Sequence, residues 1–259
     1  MNELLDLALR TAREAGELIE QHRRNGVDVA ATKSSAVDVV TAADQASETL
    51  IRNRILAARP DDGIVGEEGD DVAGTSGVRW IVDPIDGTVN LLYGIEQYAV
   101  SIAAEVDGEA VVGVVLNPAT GEAFSAIQGQ GARRNDEPLQ VRIAADLATS
   151  LVATGFNYAE EVRARQGASV ARLLPQVRDI RREGACALDL CSLAMGRVDG
   201  YVEEGLQVWD WAAGRLIAEE AGARVVVRRN AFGNNVVVAA AEAAFDRFDQ
   251  AVAACGFGC

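Results

Sequence analysis

The stretch Trp80-Ile81-Val82-Asp83-Pro84-Ile85-Asp86-Gly87-Thr88 constrains this chain more than any other segment. An apolar run of buried-strand type ends in two aspartates flanking a proline, with a glycine immediately after. Pro84 fixes its own φ and holds Asp83 extended, and Gly87 permits a tight turn, so both carboxylates can swing to one point. Thr88 then stands where its hydroxyl can bond a ligand or cap the next element. Two carboxylates aimed at one locus repel unless they share a proton or a cation. With no histidine nearby in the sequence, a hard divalent cation is the expected partner at neutral pH, because Mg²⁺ takes carboxylate oxygens and waters.

Two other acidic segments belong beside it. Val65-Gly66-Glu67-Glu68-Gly69 places acids directly after a short apolar strand, and Trp209-Asp210-Trp211-Ala212-Ala213-Gly214 sets an aspartate at the start of an Ala-rich helix. Taken singly, each has a plain alternative: a solvated glutamate pair, a simple Asp-Pro turn, and a helix N-cap.

Composition narrows the chemistry. The 24 Lys+Arg against 39 Asp+Glu give a net charge of −15. That argues against a nucleic-acid or anionic-membrane binder, both of which need a basic footprint. It also means that a phosphorylated substrate is repelled unless cations intervene. The one histidine, His22, leaves a two-His zinc site impossible, and any Ser-His-Asp triad would have to use it. Of the 24 basic residues only Lys33 is a lysine. Cys186, Cys191, Cys255 and Cys259 form no C-x-x-C pair, which suits a reducing compartment. No uncharged apolar run approaches the roughly 18 residues of a membrane span. The charged start lacks a signal-peptide core, so a cytoplasmic protein is expected.

The 259 residues suit one large α/β unit or two small lobes. Helical periodicity covers residues 2–22, with a second helix from Thr41 to about Pro60. Short strands are predicted at 64–65, 78–82, 98–106, 110–116 and 122–127, with Asp107-Gly108 as a hairpin turn. Past Asp146 the pattern becomes βαβα, with strands at 151–154, 178–181, 201–202, 224–228 and 236–240. Helices fall between and after them, at 159–174, 185–196, 209–221 and 241–254. The expected architecture is a single unit, 1–259, with an α+β lobe at 1–148 and an α/β lobe at 149–259, joined without a clean cut.

The three acidic segments, in this order, resemble the signature of the inositol monophosphatase family of metal-dependent, lithium-sensitive phosphatases. Asp83 to Thr88 is similar to its Asp-Pro-(Ile/Leu)-Asp-(Gly/Ser)-(Thr/Ser) motif, Trp209 to Gly214 to its Trp-Asp-x-Ala-(Ala/Gly)-Gly motif, and Gly66 to Glu68 to its Gly-Glu-Glu. The resemblance extends from the first helix to about residue 240. It implies the layered αβαβα sandwich of the sugar phosphatases. It also implies two or three Mg²⁺ ions on Glu67, Asp83, Asp86, Asp210 and the Ile85 carbonyl. Glu67 and Thr88 would orient the attacking water, with Asp44 a nearby acid behind them. Gly87 and Thr88 match phosphate-positioning residues. Gly184, Ala185, Cys186, Glu203 and Asp210 match substrate-facing positions, and Lys33 matches a lysine on a mobile loop. The chain departs from the family at Val89, where a second Thr is common, and at Ala185, where Thr or Ser is usual. Ala223 also replaces the second glycine after the Asp210 helix.

The implied activity is Mg²⁺-dependent hydrolysis of myo-inositol 1-phosphate or a related small polyol phosphate. Histidinol phosphate and fructose 1,6-bisphosphate are alternative substrates, and a non-catalytic regulatory protein on the same fold is a reading from another class. A homodimer is expected from family habit, and from the hydrophobic stretches 98–106 and 110–116, which one lobe would leave uncovered.

Overall fold

The computed structural model describes residues 1–26, 29–32 and 39–258; Lys33 lies outside them. Helix α1 (Asn2–Asn25) buries Leu4, Leu7, Ala8, Ala12, Ala15 and Ile19, a stripe at helical spacing. The short antiparallel strands β1 (Val29–Thr32) and β2 (Val39–Thr41) lead into helix α2 (Ala42–Ala58). As the sequence predicts, α2 starts at Thr41, whose hydroxyl accepts from the Ala43 amide while the Asp44 carboxylate accepts from the Thr41 amide.

A seven-stranded sheet follows, built from β3 (Gly63–Gly66), β4 (Val78–Asp86), β5 (Ala99–Val106), β6 (Glu109–Asn117), β7 (Glu122–Ile127), β8 (Ala132–Arg134) and β9 (Glu137–Pro138), paired in that order. Only β3–β4 is parallel; the other pairs are antiparallel. Helix α3 (Thr88–Tyr93) interrupts the path from β4 to β5. Asp107 and Gly108 both take positive φ, the geometry of a tight hairpin turn, as expected.

The second sheet contains β10 (Leu151–Thr154), β11 (Asp179–Arg181), β12 (Gly200–Glu204), β13 (Ala223–Arg229) and β14 (Asn235–Ala241) in the order β11-β10-β12-β14-β13. Its helices are α4 (Glu160–Leu173), α5 (Cys186–Ala194), α6 (Val208–Glu220) and α7 (Phe245–Ala254).

Strand alternation distributes the core among five layers. Trp80, Val82, Val100, Ile102 and Val114 face α1 and α2. Ile81, Ala99, Ala103 and Val115 face the other way, onto Ala187, Leu188, Ala212 and Leu216 of α5 and α6. The same two helices press Leu190, Leu193 and Ala218 onto Tyr201, Val225, Val237 and Ala239 of the second sheet. Its far face, with Val202, Val236 and Val238, lies under Leu173, Phe245, Phe248 and Val252 of α4 and α7. The result is the αβαβα sandwich.

This layering corrects one expectation. The stretches 98–106 and 110–116 are the central strands β5 and β6, covered by α1 on one face and by α5 and α6 on the other. They leave no apolar face for a second copy, so the patterning argument for a dimer fails.

The shared middle layer depends on close approach. A Cβ at Gly113 of β6 would lie 2.8 Å from the Ala213 carbonyl oxygen of α6. Replacing Gly113 by Val should therefore destabilise the fold by about 1–3 kcal/mol through overpacking. A thermal melt checks this, and an unchanged Tm would show that α6 can move off the sheet freely.

Candidate active site

The site is assembled on one face of α2. Asp44, Ser47 and Glu48 stand at i, i+3 and i+4, and all three are buried. Asp44 Oδ1 accepts from the Thr88 hydroxyl at 2.8 Å, and Oδ2 accepts from the Thr41 hydroxyl and amide. Ser47 Oγ donates to the Pro84 carbonyl at 3.2 Å. Glu48 accepts from the Glu68 and Gly69 amides at 2.7 and 2.8 Å and is ion-paired to Arg52. Gly66 leaves room for that carboxylate, since a Cβ there would come within 2.6 Å of Glu48 Oε1. One helical stripe thus holds the Glu67 loop, the proline between the two aspartates, and Thr88.

Strand β4 continues past Val82 to Asp86, with a register shift between Asp83 and Asp86. The shift swings the two carboxylates toward the same rim. Asp83 Oδ1 accepts from the Ile85 amide at 3.0 Å, a local Asx turn. Gly87 has φ +95°, and a side chain there would also meet the Gln97 carbonyl. Asp86 Oδ2 accepts from the Ala187 amide at 2.6 Å, which ties the large sheet to the first turn of α5. Asp210 is the third residue of α6 rather than its N-cap, and its Oδ2 accepts from the Gln207 amide at 2.6 Å.

Glu67, Asp83, Ile85, Asp86, Gly87, Thr88, Gly184, Cys186, Glu203 and Asp210 all line one cavity. Ala185 does not: it is buried in the core between the large sheet and the helix layer, leaving Gly184 and Cys186 on the wall. Asp44 acts from behind, through Thr88. Phe156, Asn157 and Tyr158, which follow β10, and Arg182 complete the opposite side.

The electrostatics are one-sided. The Glu67, Asp83, Asp86, Glu203 and Asp210 side chains line the cavity, and among the described residues Arg182 is the single basic residue on its wall; the Glu204 carboxylate is taken up by Asn230, Asn234 and Arg165. Burial, followed by the charges of Glu67, Asp86 and Asp210, pushes Asp83 well above the usual carboxylate range. Burial likewise raises Asp86 to about 8, although the Ala187 amide favours its ionised form. Asp210 is raised well above its ordinary value by burial and then by Asp86 and Glu67. Burial raises Glu203 to about 7 against the opposing influence of Tyr201 and Arg182.

Among the described residues the carboxylates do not close into a ready three-ligand cage. Their chemistry nevertheless fits a hard cation that keeps much of its water. Mg²⁺ is bound through one or two carboxylates and substrate oxygens rather than by a dedicated protein shell. The donors here are all oxygen, crowded and short of countercharge.

Ser47, Glu48 and Arg52 were not legible as site residues. The only sequence signal was a set of polar residues on the same helical face as the buried Ile51 and Ile55.

A stability measurement reads this crowding directly. With folded-state pKa values above those of the unfolded chain, the native protein holds extra protons near neutrality. The chelated protein should therefore lose stability as pH rises from 6 to 9, through the value of about 8 at Asp86. Added Mg²⁺ should restore Tm most strongly at the alkaline end. A flat pH profile with no response to Mg²⁺ would show that the carboxylates are not held in mutual repulsion.

Known proteins give this geometry a context. The sequence model of the inositol monophosphatase family matches residues 1–254. The inositol-1-monophosphatase SuhB of Mycobacterium tuberculosis is 48% identical over 219 residues, spanning 81% of this chain and 76% of the relative. The protein named Nus factor SuhB in Pasteurella multocida is 42% identical, spanning 87% of this chain and 85% of its own. The crystal structure of the extragenic suppressor protein suhB from Bartonella henselae superposes with a TM-score of 0.89 at 35% identity, covering 96% of this chain and 98% of that one. With the family model spanning nearly all of its length, the chain belongs to the inositol monophosphatase family.

Proposed function

We propose that the protein is a Mg²⁺-dependent phosphomonoesterase acting on myo-inositol 1-phosphate or a related small polyol phosphate. The observation that carries this reading is the cavity wall, with the five carboxylates of Glu67, Asp83, Asp86, Glu203 and Asp210 against, among the described residues, the one guanidinium of Arg182. Such a wall repels a phosphate ester by itself and attracts it once cations are present.

Glu67, Asp83, Asp86, Asp210 and the Ile85 carbonyl would hold the metal. When bound, the metal supplies charge neutralisation for the phosphate and a water of lowered pKa. The protein's own groups do the positioning. The Thr88 hydroxyl donates to Asp44 Oδ1, so its oxygen lone pair faces an incoming water as an acceptor. The Glu67 carboxylate accepts a further hydrogen bond from that water and aims it in line at phosphorus. Gly87 lets the ester approach the backbone at the turn, and Glu203, Gly184 and Cys186 meet the alcohol part.

The test is a phosphate-release panel of myo-inositol 1-phosphate, glycerol 2-phosphate, histidinol phosphate and fructose 1,6-bisphosphate, each with Mg²⁺ or with chelator. Release should require Mg²⁺, favour the inositol ester and be inhibited by lithium. Asp83→Asn should lose at least about 100-fold in turnover while melting as a folded protein. Near-normal activity in that variant would overturn the metal assignment, and preference for histidinol phosphate would overturn the substrate.

Relatives named Nus factor SuhB favour a second reading, in which the fold presents a surface to a partner and turnover is secondary. On that reading Asp83→Asn would lose turnover and keep the partner function, which separates the two roles.

A further inference from the structure

Glu203 is the cavity acid best placed to read substrate hydroxyls, and three neighbours fix where its carboxylate points. It lies two residues after Tyr201 on β12, so both side chains leave the same face of the strand. The Tyr201 hydroxyl donates to Glu203 Oε2 at 2.8 Å. Tyr201 is itself fully buried in the core between the helix layer and the second sheet. Its phenol also forms a hydrogen bond with Cys186, which lines the cavity at the start of α5. From the other side, β10 pairs Thr154 with Val202, which brings Gly155 alongside Glu203. A Cβ at Gly155 would lie 2.0 Å from Glu203 Oε2, 2.1 Å from Cδ and 2.2 Å from Oε1. The carboxylate therefore rests directly on the Gly155 backbone, where no other residue leaves it room.

We propose that Gly155 and Tyr201 are positioning residues for Glu203: Gly155 seats the whole carboxylate and Tyr201 holds Oε2, leaving Oε1 as a fixed acceptor for the hydroxyls of a polyol phosphate. This inference rests on the phosphatase reading above and adds the origin of its discrimination. A glutamate has three side-chain torsions, and ordering them on binding costs up to about 2 kcal/mol. A clamp that orders them beforehand removes that cost from every binding event. Among the described residues Oε1 has no hydrogen-bond donor within the protein, so ring hydroxyls can donate to it. A substrate that lacks a matching hydroxyl leaves it unpaired, and a site built on hydrogen bonds rejects such an analogue strongly. The clamp touches no reacting atom.

The test compares Tyr201→Phe, which keeps the buried ring, with wild type on myo-inositol 1-phosphate and on p-nitrophenyl phosphate, which has no hydroxyl on its ring. KM for the inositol ester should rise roughly 5- to 10-fold, the worth of one net hydrogen bond, with kcat held. Both constants for p-nitrophenyl phosphate should stay at wild-type values. Adding Glu203→Gln to Tyr201→Phe should raise KM little further, since the two residues form one unit. Gly155→Ala, provided it melts as a folded protein, should reproduce the KM effect, and a folded Gly155→Ala with the wild-type KM overturns the part assigned to Gly155. Equal losses on both esters, or an unchanged KM for the inositol ester, overturn the clamp. If wild type hydrolyses neither ester, the phosphatase reading fails separately. The clamp is then read from a crystal structure of Tyr201→Phe, where an unmoved Glu203 carboxylate overturns it.

Discussion

The mutual repulsion of buried carboxylates is the constraint on which the rest of this structure turns. Two like charges 4 Å apart interact by ~4 kcal/mol at an effective dielectric of 20. A few such pairs consume the whole 5–15 kcal/mol by which a typical domain is stable. The fold meets this load by fixing one oxygen of each aspartate on a backbone amide. Ile85 holds Asp83, Ala187 holds Asp86 and Gln207 holds Asp210. Those amides come from the end of β4, the start of α5 and the approach to α6. The carboxylates therefore meet only where the large sheet and the middle helix layer are docked. What remains is a shortage of positive charge, which protons or a cation must supply.

Helix α2 makes that arrangement rigid. Its polar stripe of Asp44, Ser47 and Glu48 reaches three separate stretches of chain through hydrogen bonds to Thr88, the Pro84 carbonyl and the Glu68 and Gly69 amides. Its apolar residues, Ala43, Ile51 and Ile55, belong to the core that also contains Trp80 and Val82 of β4. Packing and polar contacts thus act on the same segment, so the acids are positioned by a helix and a strand whose own places are set by burial. Glu48 would be a costly isolated charge at this depth, and its pairing with Arg52 together with two amide donors offsets that cost.

The sequence disclosed those parts of the site whose chemistry is local. The Asp83 to Thr88 turn was legible because proline and glycine act on their immediate neighbours, and Thr41 was legible as a helix start for the same reason. Asp107-Gly108 marked its hairpin, and the strand and helix periods separated the two sheets. The parts that failed depend on distance in the chain. Glu48 and Gly66 are eighteen residues apart, and nothing in either segment announces that the carboxylate rests on the glycine. Gly155 and Glu203 meet only through the pairing of β10 with β12. The strands at 98–106 and 110–116 suggested an uncovered face because their cover, α5 and α6, comes some 80 residues later in the sequence. Ala185 matched a substrate-facing position by motif, yet as the residue that caps the start of α5 it is buried in the core.

If the acidic cavity is a cation site, bound cations turn a repulsive wall into a phosphate receptor. Anomalous diffraction from crystals soaked in millimolar Mn²⁺ tests it most directly, because Mn²⁺ takes the same oxygen donors as Mg²⁺ and identifies itself by its scattering. Anomalous peaks are expected within coordination distance of Glu67, Asp83, Asp86 and Asp210. Crystals that take up Mn²⁺ elsewhere, or nowhere, with those four carboxylates left as an empty acidic cleft, would contradict it.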